Sequence, residues 1–292
     1  MSHVRQLARS DLHRAAKFCE RARAADRDIE PFGDRLAGLA DGARALLGLW
    51  QMAADDQGAI QGVAFAALRG SPRDAARKTA DVYVAVAAGR RRNGLGRALC
   101  DPALQWAARE SATLRARVPE GAVAGQRFLG ALGFRHVDAQ LLLTWSRRRI
   151  EPRADSAVAV RQLAPEEALP QLQQLSREAW AGAADEFTVD SDELARLSRE
   201  QGRLTLLAET GGAAAGYLSA AWLGNALAIE EVAVMPERRR QGIGRALLSA
   251  ALRDAASGVL WVADSNGAGR ALYRSLGFAQ SARRLVYELR HG

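Results

Sequence analysis

The string RRRNGLGRALC at residues 90–100 returns as RRRQGIGRALL at residues 238–248. A glycine-rich turn that opens a helix demands an unusual backbone, so its recurrence constrains the chain more than any other feature and points to a duplicated unit. Other landmarks recur in the same order. VRQLA at 4–8 reappears at 160–164, and ALGF at 131–134 returns as SLGF at 275–278. The spacing contracts along the chain: 156 residues for Val4 and Val160, 148 for Arg91 and Arg239, 144 for Gly133 and Gly277. The first copy therefore carries a few extra residues in its loops, and a length of 292 residues suits two domains.

Between the copies, RRRIEPRADS at 147–156 breaks the apolar periodicity with a proline and several charges, as an exposed connection does. This places an N-terminal domain at 1–152 and a C-terminal domain at 153–292. The second copy reads as a strand in AVAVRQL, helices in EEALPQLQQLSREAW and DSDELARLSREQ, and consecutive antiparallel strands in RLTLLAE, AAAGYLSAAWL and ALAIEEVAV. A helix near Gly242, the strand VLWVAD, a helix from Asn266 to about Ser275 and the strand RRLVYEL follow. The first copy repeats the order with LLGLWQMA, AIQGVAFAAL, ADVYVAVAA, a helix from about Leu95, TLRARV, a helix ending near Leu132, and AQLLLTW. The fold class is α/β, with a mixed, mostly antiparallel sheet flanked by helices in each copy.

The net charge of +8 raises nucleic acid as a partner. Nearly all of that charge is arginine, with lysine only at Lys17 and Lys78, and 33 acidic residues are interleaved with it. No RNA-recognition or zinc-finger pattern accompanies it, so a solvated surface and no nucleic-acid partner are expected. No apolar run is long enough to span a membrane, and the N-terminus lacks a secretory pattern, so a cytoplasmic protein without a membrane partner is expected. Cys19 and Cys100 stand far apart without metal-ligand spacing, which predicts small apolar residues on helix faces, no disulfide and no metal.

A strand running into closely spaced glycines and a helix N-terminus is suited to an anion, because the first-turn amides lack internal partners and the helix dipole favours negative charge there. A turn without a ligand is the plainer alternative. Walker chemistry is excluded, since Arg-Ala-Leu follows the last glycine where Lys-Ser/Thr is required. A dinucleotide fingerprint is excluded as well: Leu99 and Leu247 occupy the place of its third glycine, and the preceding strands are hairpin-linked.

VAVMPERRRQGIGRALL, followed by NGAGRALYRSLGF, resembles the GNAT family of N-acetyltransferases, whose mark is R/Q-x-x-G-x-G/A after a V-x-V-x-P strand end. The resemblance covers essentially the whole chain as two tandem GNAT folds. It implies acetyl-CoA as the acyl-donor substrate, with Arg239, Arg240, Gln241, Gly242, Ile243, Gly244 and Arg245 cradling its pyrophosphate through backbone amides. It further implies that Val232, Ala233 and Val234 pair with the pantetheine arm between two splayed strands. The counterparts in the first copy are Val84, Val86, Arg91, Arg92, Gly94, Gly96 and Arg97.

Transfer to an amine needs a base for the ammonium proton and an acid for the leaving thiolate. His3, His13, His136 and His291 fall outside the motifs and read as exposed or packing residues. By the resemblance, Tyr273, four residues before Gly277, is the general acid, and Asn266 either hydrogen-bonds pantetheine or caps its helix. A core aromatic is the alternative for Tyr273. Glu230 and Glu231 are the candidate bases; strict strand alternation sends them to opposite faces, so one is expected to reach the acceptor, with Glu230 favoured. A solvated edge pair is the alternative. Asp185, Glu186 and Asp190 are candidate acceptor contacts.

In the first copy, Leu129 stands at the tyrosine position and Ala122 at the asparagine position. Chemistry is therefore expected in the C-terminal domain, with the N-terminal domain binding acetyl-CoA or serving architecture. The tandem arrangement is also similar to the mycothiol synthase family, through AADRDIEPFGDRL and LWVADSNGAGRALYRSLGF, although AGAADEF replaces that family's usual acceptor segment. The expected activity is acetyl transfer to a primary amine of a small molecule or peptide. Acetylation of an amino-sugar thiol precursor and a non-catalytic acyl-CoA sensor are the alternatives, in a monomer or homodimer.

Overall fold

The computed structural model describes residues 3–25, 48–69, 79–110, 113–147, 158–164 and 202–290, together with positions 172, 175, 176, 178 and 179. Asp185, Glu186, Asp190, the connection at 148–157, residues 26–36 and most of the two predicted helices at 166–180 and 190–201 lie outside the described residues. Arg147 is described: its guanidinium holds the carbonyls of Arg253 and Ala255, so it belongs to the end of a helix and its strand.

The chain forms two compact units, one of residues 1–138 with 284–292 and one of residues 139–283. In the first unit β1 (His3–Gln6) and α1 (Leu12–Ala25) precede the antiparallel run β2 (Gly48–Ala54), β3 (Ile60–Arg69) and β4 (Thr79–Val86). Then come α2 (Leu95–Arg109), β5 (Thr113–Pro119) parallel to β4, and α3 (Val123–Ala131). β6 (Arg135–Ser146) begins there and continues into the second unit.

The second unit repeats this plan with β7 (Ala159–Gln162), β8 (Arg203–Thr210), β9 (Ala213–Leu223) and β10 (Ala226–Val234), all antiparallel. α4 (Ile243–Leu252), β11 (Ser257–Ala263) parallel to β10, α5 (Gly267–Ser275) and β12 (Ala279–Leu289) follow.

The sequence copies and the compact units part company at their last strands. Gln140–Ser146 of β6 pair with β11 in the second unit, whereas Arg284–Leu289 of β12 pair with β5 in the first. The division at 152/153 therefore describes the repeat, while each folded unit is closed by a strand from the other repeat. Trp145, Leu143 and Leu141 from β6 are buried in the second unit's core, which fixes that strand there by burial as well as by pairing.

Apolar periodicity explains the layers. In α4, Ile243, Ala246, Leu247, Leu248, Ala251 and Leu252 fall on one helical stripe and cover Leu204, Leu206, Leu218, Ala220, Leu227 and Ile229 of the sheet. Tyr217, Leu207 and Ala233 point to the opposite face, where they meet Leu163, Leu172, Leu175 and Ala179. In the first unit, α2 buries Leu99, Cys100, Ala103 and Ala107 on one face, and α1 covers Met52, Val63, Phe65 and Tyr83 on the other. Cys19 and Cys100 are buried on helices, and burial pushes both thiols up to about 12.

Candidate active site

The glycine turns have the same backbone in both units. Arg92 (φ 66) and Arg240 (φ 64) are left-handed, the non-glycine residues with positive φ among those described, and Gly94 (φ 76) and Gly242 (φ 80) are left-handed two positions later. A non-glycine side chain in this region costs about 1 kcal/mol, so its recurrence at equivalent arginines marks a backbone held for its shape. Each glycine is the N-cap of its helix without a side-chain cap, and the first helical bonds run from Ala98 to Gly94 and from Ala246 to Gly242. The N–H groups of Leu95, Gly96 and Arg97, and of Ile243, Gly244 and Arg245, precede those first bonds at the two helix N-termini, whose amides and dipole suit an anion.

Side chains lock the turn from behind. Arg239 donates through Nε to the Val234 carbonyl at 3.3 Å and through Nη2 to the Ala179 carbonyl at 2.8 Å. Arg91 donates through Nε to the Val86 carbonyl at 3.1 Å. Both arginines thus tie the turn to the end of the preceding strand. The last glycine answers to helix packing: a Cβ on Gly244 would stand 2.9 Å from Leu272 of α5, and one on Gly96 3.3 Å from Phe128 of α3. A further glycine pair escaped the sequence reading. Gly62 and Gly216 pair with Val86 and Val234, and a Cβ there would meet the Ala85 carbonyl at 3.1 Å or the Ala233 carbonyl at 2.6 Å.

Next to each turn the sheet opens. Parallel pairing of β10 with β11 ends at Ile229 and Leu260, and that of β4 with β5 ends at Val82 and Ala116. Beyond those pairs Val232, Ala233 and Val234, like Val84 and Val86, keep one antiparallel neighbour, so an extended ligand can add to the other edge.

Residues 10–134 and 169–278, which carry these two turns, match the family model described as the acetyltransferase (GNAT) family. The chain belongs to the GNAT family. Its fold is similar to a GCN5-related N-acetyltransferase from Sphaerobacter thermophilus (TM-score 0.75, 18% identity, 100% of this chain and 96% of that one). It is also similar to a tandem GNAT protein from the clavulanic acid biosynthesis pathway (TM-score 0.73, 22% identity, 100% and 99%). A glucosamine N-acetyltransferase region in a fungal multi-domain GH3 β-N-acetylglucosaminidase matches at TM-score 0.74 and 16% identity, over 98% of this chain and 38% of that one. No curated protein is significantly similar in sequence.

Within the second GNAT module, Asn266 caps α5, its side chain accepting from the Gly269 amide at 2.8 Å. Tyr273 sits partly buried against the α4-side core, edge-on to Phe278 with ring centres 5.8 Å apart. Burial pushes its phenol up to about 12. α5 ends with Gly277 (φ 86) donating to the Arg274 carbonyl and Phe278 to the Tyr273 carbonyl, a Schellman closure that fixes the helix end carrying Tyr273. In the first module the same closure surrounds buried Leu129 and Phe134, and Ala122 offers its helix no side-chain cap.

The glutamates depart from the sequence expectation. Pairing between β9 and β10 shifts between Ile229 and Glu231, so Glu230 is an inserted bulge residue. Leu227, Ile229, Val232 and Val234 all pack on the α4-side core, and the insertion therefore turns both Glu230 and Glu231 toward the opposite face. Strict alternation fails at that one residue. Glu231 lies across from Ser219, and Glu230 accepts from Arg203 Nη2 at 2.6 Å. Counting the register back from Gly62 and Gly216, Tyr83 occupies the place of Glu231, Phe65 that of Ser219, and β4 has no residue equivalent to Glu230. Phe65 and Tyr83 stack at 5.3 Å within the first module's core. His136 rests 5.5 Å from Tyr287 and His3 pairs with Asp56 at 3.4 Å, in keeping with packing and surface roles.

Proposed function

We propose that the chain transfers the acetyl group of acetyl-CoA to a primary amine in its second module, with the first module binding the donor without chemistry. The observation that carries this reading is the contrast on one face of the two sheets: Glu230, Glu231 and Ser219 in the second module against the stacked pair Phe65 and Tyr83 in the first.

The donor fits both modules. The left-handed turns and free helix amides suit a pyrophosphate, and the single-sided strands Val232–Val234 and Val84–Val86 suit the amides of a pantetheine arm. Chemistry needs more than a held donor. As the amine nitrogen bonds to the thioester carbon, its proton passes to the Glu230–Glu231 pair, directly or through water. The carbon–sulfur bond breaks, and the sulfur takes the Tyr273 proton, which a phenol at about 12 still holds at neutral pH. Asn266 fixes the start of the helix that carries Tyr273. Leu129 can give no proton.

The test uses the full chain, acetyl-CoA and a broad amine panel, with released thiol as the readout. Turnover that falls in Tyr273→Phe and in Glu230→Gln or Glu231→Gln, while acetyl-CoA still binds, supports the reading. Turnover unchanged by all three substitutions would locate the chemistry elsewhere. Binding of acetyl-CoA without turnover across the panel favours a sensor, a reading supported by the intact turn geometry of the first module.

A further inference from the structure

Arg270 closes the turn between β11 and α5 with its own side chain. Its backbone N–H makes the first helical bond of α5, to the Asn266 carbonyl at 3.0 Å, and its Nη1 donates to the Asp264 carbonyl at 2.8 Å while lying 2.6 Å from Asp264 Oδ1. Arg283 of β12 reaches the other carboxylate oxygen at 3.1 Å, and the Asp264 N–H donates to the Ala139 carbonyl of β6 at 2.7 Å. Asp264 thus joins the sheet to the first turn of α5. The spacing of four and then three residues puts Asn266, Arg270 and Tyr273 along one side of that helix, so whatever holds Arg270 also holds the stripe that ends in Tyr273.

The first module keeps only the neutral half of this closure. At the places 144 residues earlier stand Glu120, Gln126 and Ala139. Gln126 makes the same first helical bond, to the Ala122 carbonyl at 3.0 Å, and its amide donates to the Glu120 carbonyl at 2.6 Å. An amide therefore suffices to close the turn. The two cations on the Asp264 carboxylate occur in the module that has Tyr273 and Asn266, and the module with Leu129 and Ala122 has no cation at either place. Arg270, Asp264 and Arg283 are between 30% and 34% exposed; ion pairs so open to water add little to stability, so fixing geometry accounts for them better.

We propose that Arg270, clamped by Asp264 with Arg283, is a positioning residue that sets the first turn of α5 and through it the place of Tyr273 at the thioester sulfur. A guanidinium holds a carbonyl and a carboxylate at once, which fixes direction as well as distance. Arg270 itself takes no part in the proton transfers. The inference rests on transfer taking place in the second module with Tyr273 as its acid.

The experiment compares the full chain with Arg270→Gln and Asp264→Asn, each also made in a Tyr273→Phe background, using acetyl-CoA and an amine from the panel. Arg270→Gln brings in the first module's residue, so the turn still closes and only the carboxylate tie is lost. In each single variant kcat should fall about tenfold, with acetyl-CoA affinity kept. In the Tyr273→Phe background the same substitutions should change kcat little, because the group they position is gone. A kcat unchanged by both, or lowered by the same factor with and without the Tyr273 hydroxyl, overturns the positioning role. Absence of turnover in wild type, or turnover indifferent to Tyr273→Phe, counts against the transfer reading instead, and amide hydrogen exchange then decides the clamp. Exchange about tenfold faster in α5 of Arg270→Gln, with α4 unchanged, supports it; equal exchange in α5 overturns it.

Discussion

Arg203 reaches from β8 to Glu230 in the bulge of β10 and donates to its carboxylate at 2.6 Å, with the arginine side chain only 7% exposed and the glutamate side chain 45% exposed. The two partners are unequal. Removing the acid leaves a mostly buried cation alone, whereas removing the base leaves an acid that water can reach. Glu230→Gln should therefore cost about 1–3 kcal/mol. Arg203→Met should cost about 1 kcal/mol or less, because solvent screens the open carboxylate. Urea unfolding of the two variants checks the order, and a larger loss in Arg203→Met would mean that the guanidinium acts mainly by packing.

Tyr273 carries a pH signature. Its phenol is raised by burial from 10.0 in the unfolded chain to about 12 in the fold. A raised value means that the folded state keeps the proton longer, so this contribution is fully present below pH 10 and is lost as pH rises toward 12. The loss should be on the order of 2 kcal/mol across that window, and Tyr273→Phe should flatten it. In turnover, Tyr273→Phe should lower kcat about 10²-fold or more with acetyl-CoA affinity kept. A wild-type kcat that declines well below pH 10 and levels in Tyr273→Phe would contradict the buried phenol.

The left-handed arginines should be stabilised by glycine. Arg92→Gly and Arg240→Gly each remove a Cβ from a region that disfavours it and should gain about 0.5–1 kcal/mol, seen as a higher midpoint in thermal or urea unfolding. Gly94→Val and Gly242→Val push the other way. Calorimetry should show two equivalents of acetyl-CoA per chain in wild type and one in either valine variant, with turnover lost only in Gly242→Val.

Cutting the chain at the repeat boundary should fail to give two independent domains. A fragment 1–152 lacks Arg284–Leu289, which pair with β5, and a fragment 153–292 lacks Gln140–Ser146, which pair with β11. The buried pair Arg115–Glu288, 2.7 Å apart, would be split as well. Each fragment should unfold without a sharp transition, and mixing the two should restore one. Two sharp, independent transitions from the separate fragments would contradict the strand exchange.

Much of the architecture is legible in the sequence, because it depends on local spacing. The duplicated turns, the strands Ala213–Leu223 and Ala226–Val234, the cap at Asn266 and the loss of tyrosine and asparagine from the first copy are all properties of neighbours along the chain. Their physics lies in backbone conformations that only certain residues tolerate and in apolar periodicities of two or near 3.6.

What the tertiary structure decided depends on pairing across strands. The repeat predicted a boundary at 152/153, yet burial of Trp145 among the second unit's residues and of Glu288 against Arg115 assigns the closing strands crosswise. Alternation sent Glu230 and Glu231 apart, and the single inserted residue, visible only when β10 is aligned against β9, brings them to one face. Arg203, Phe65 and Tyr83 carry no motif. Their place is set by register, in which a one-residue shift moves every following side chain to the other side of the sheet, and so the sequence determined the modules while the folded sheet decided which face of each could do chemistry.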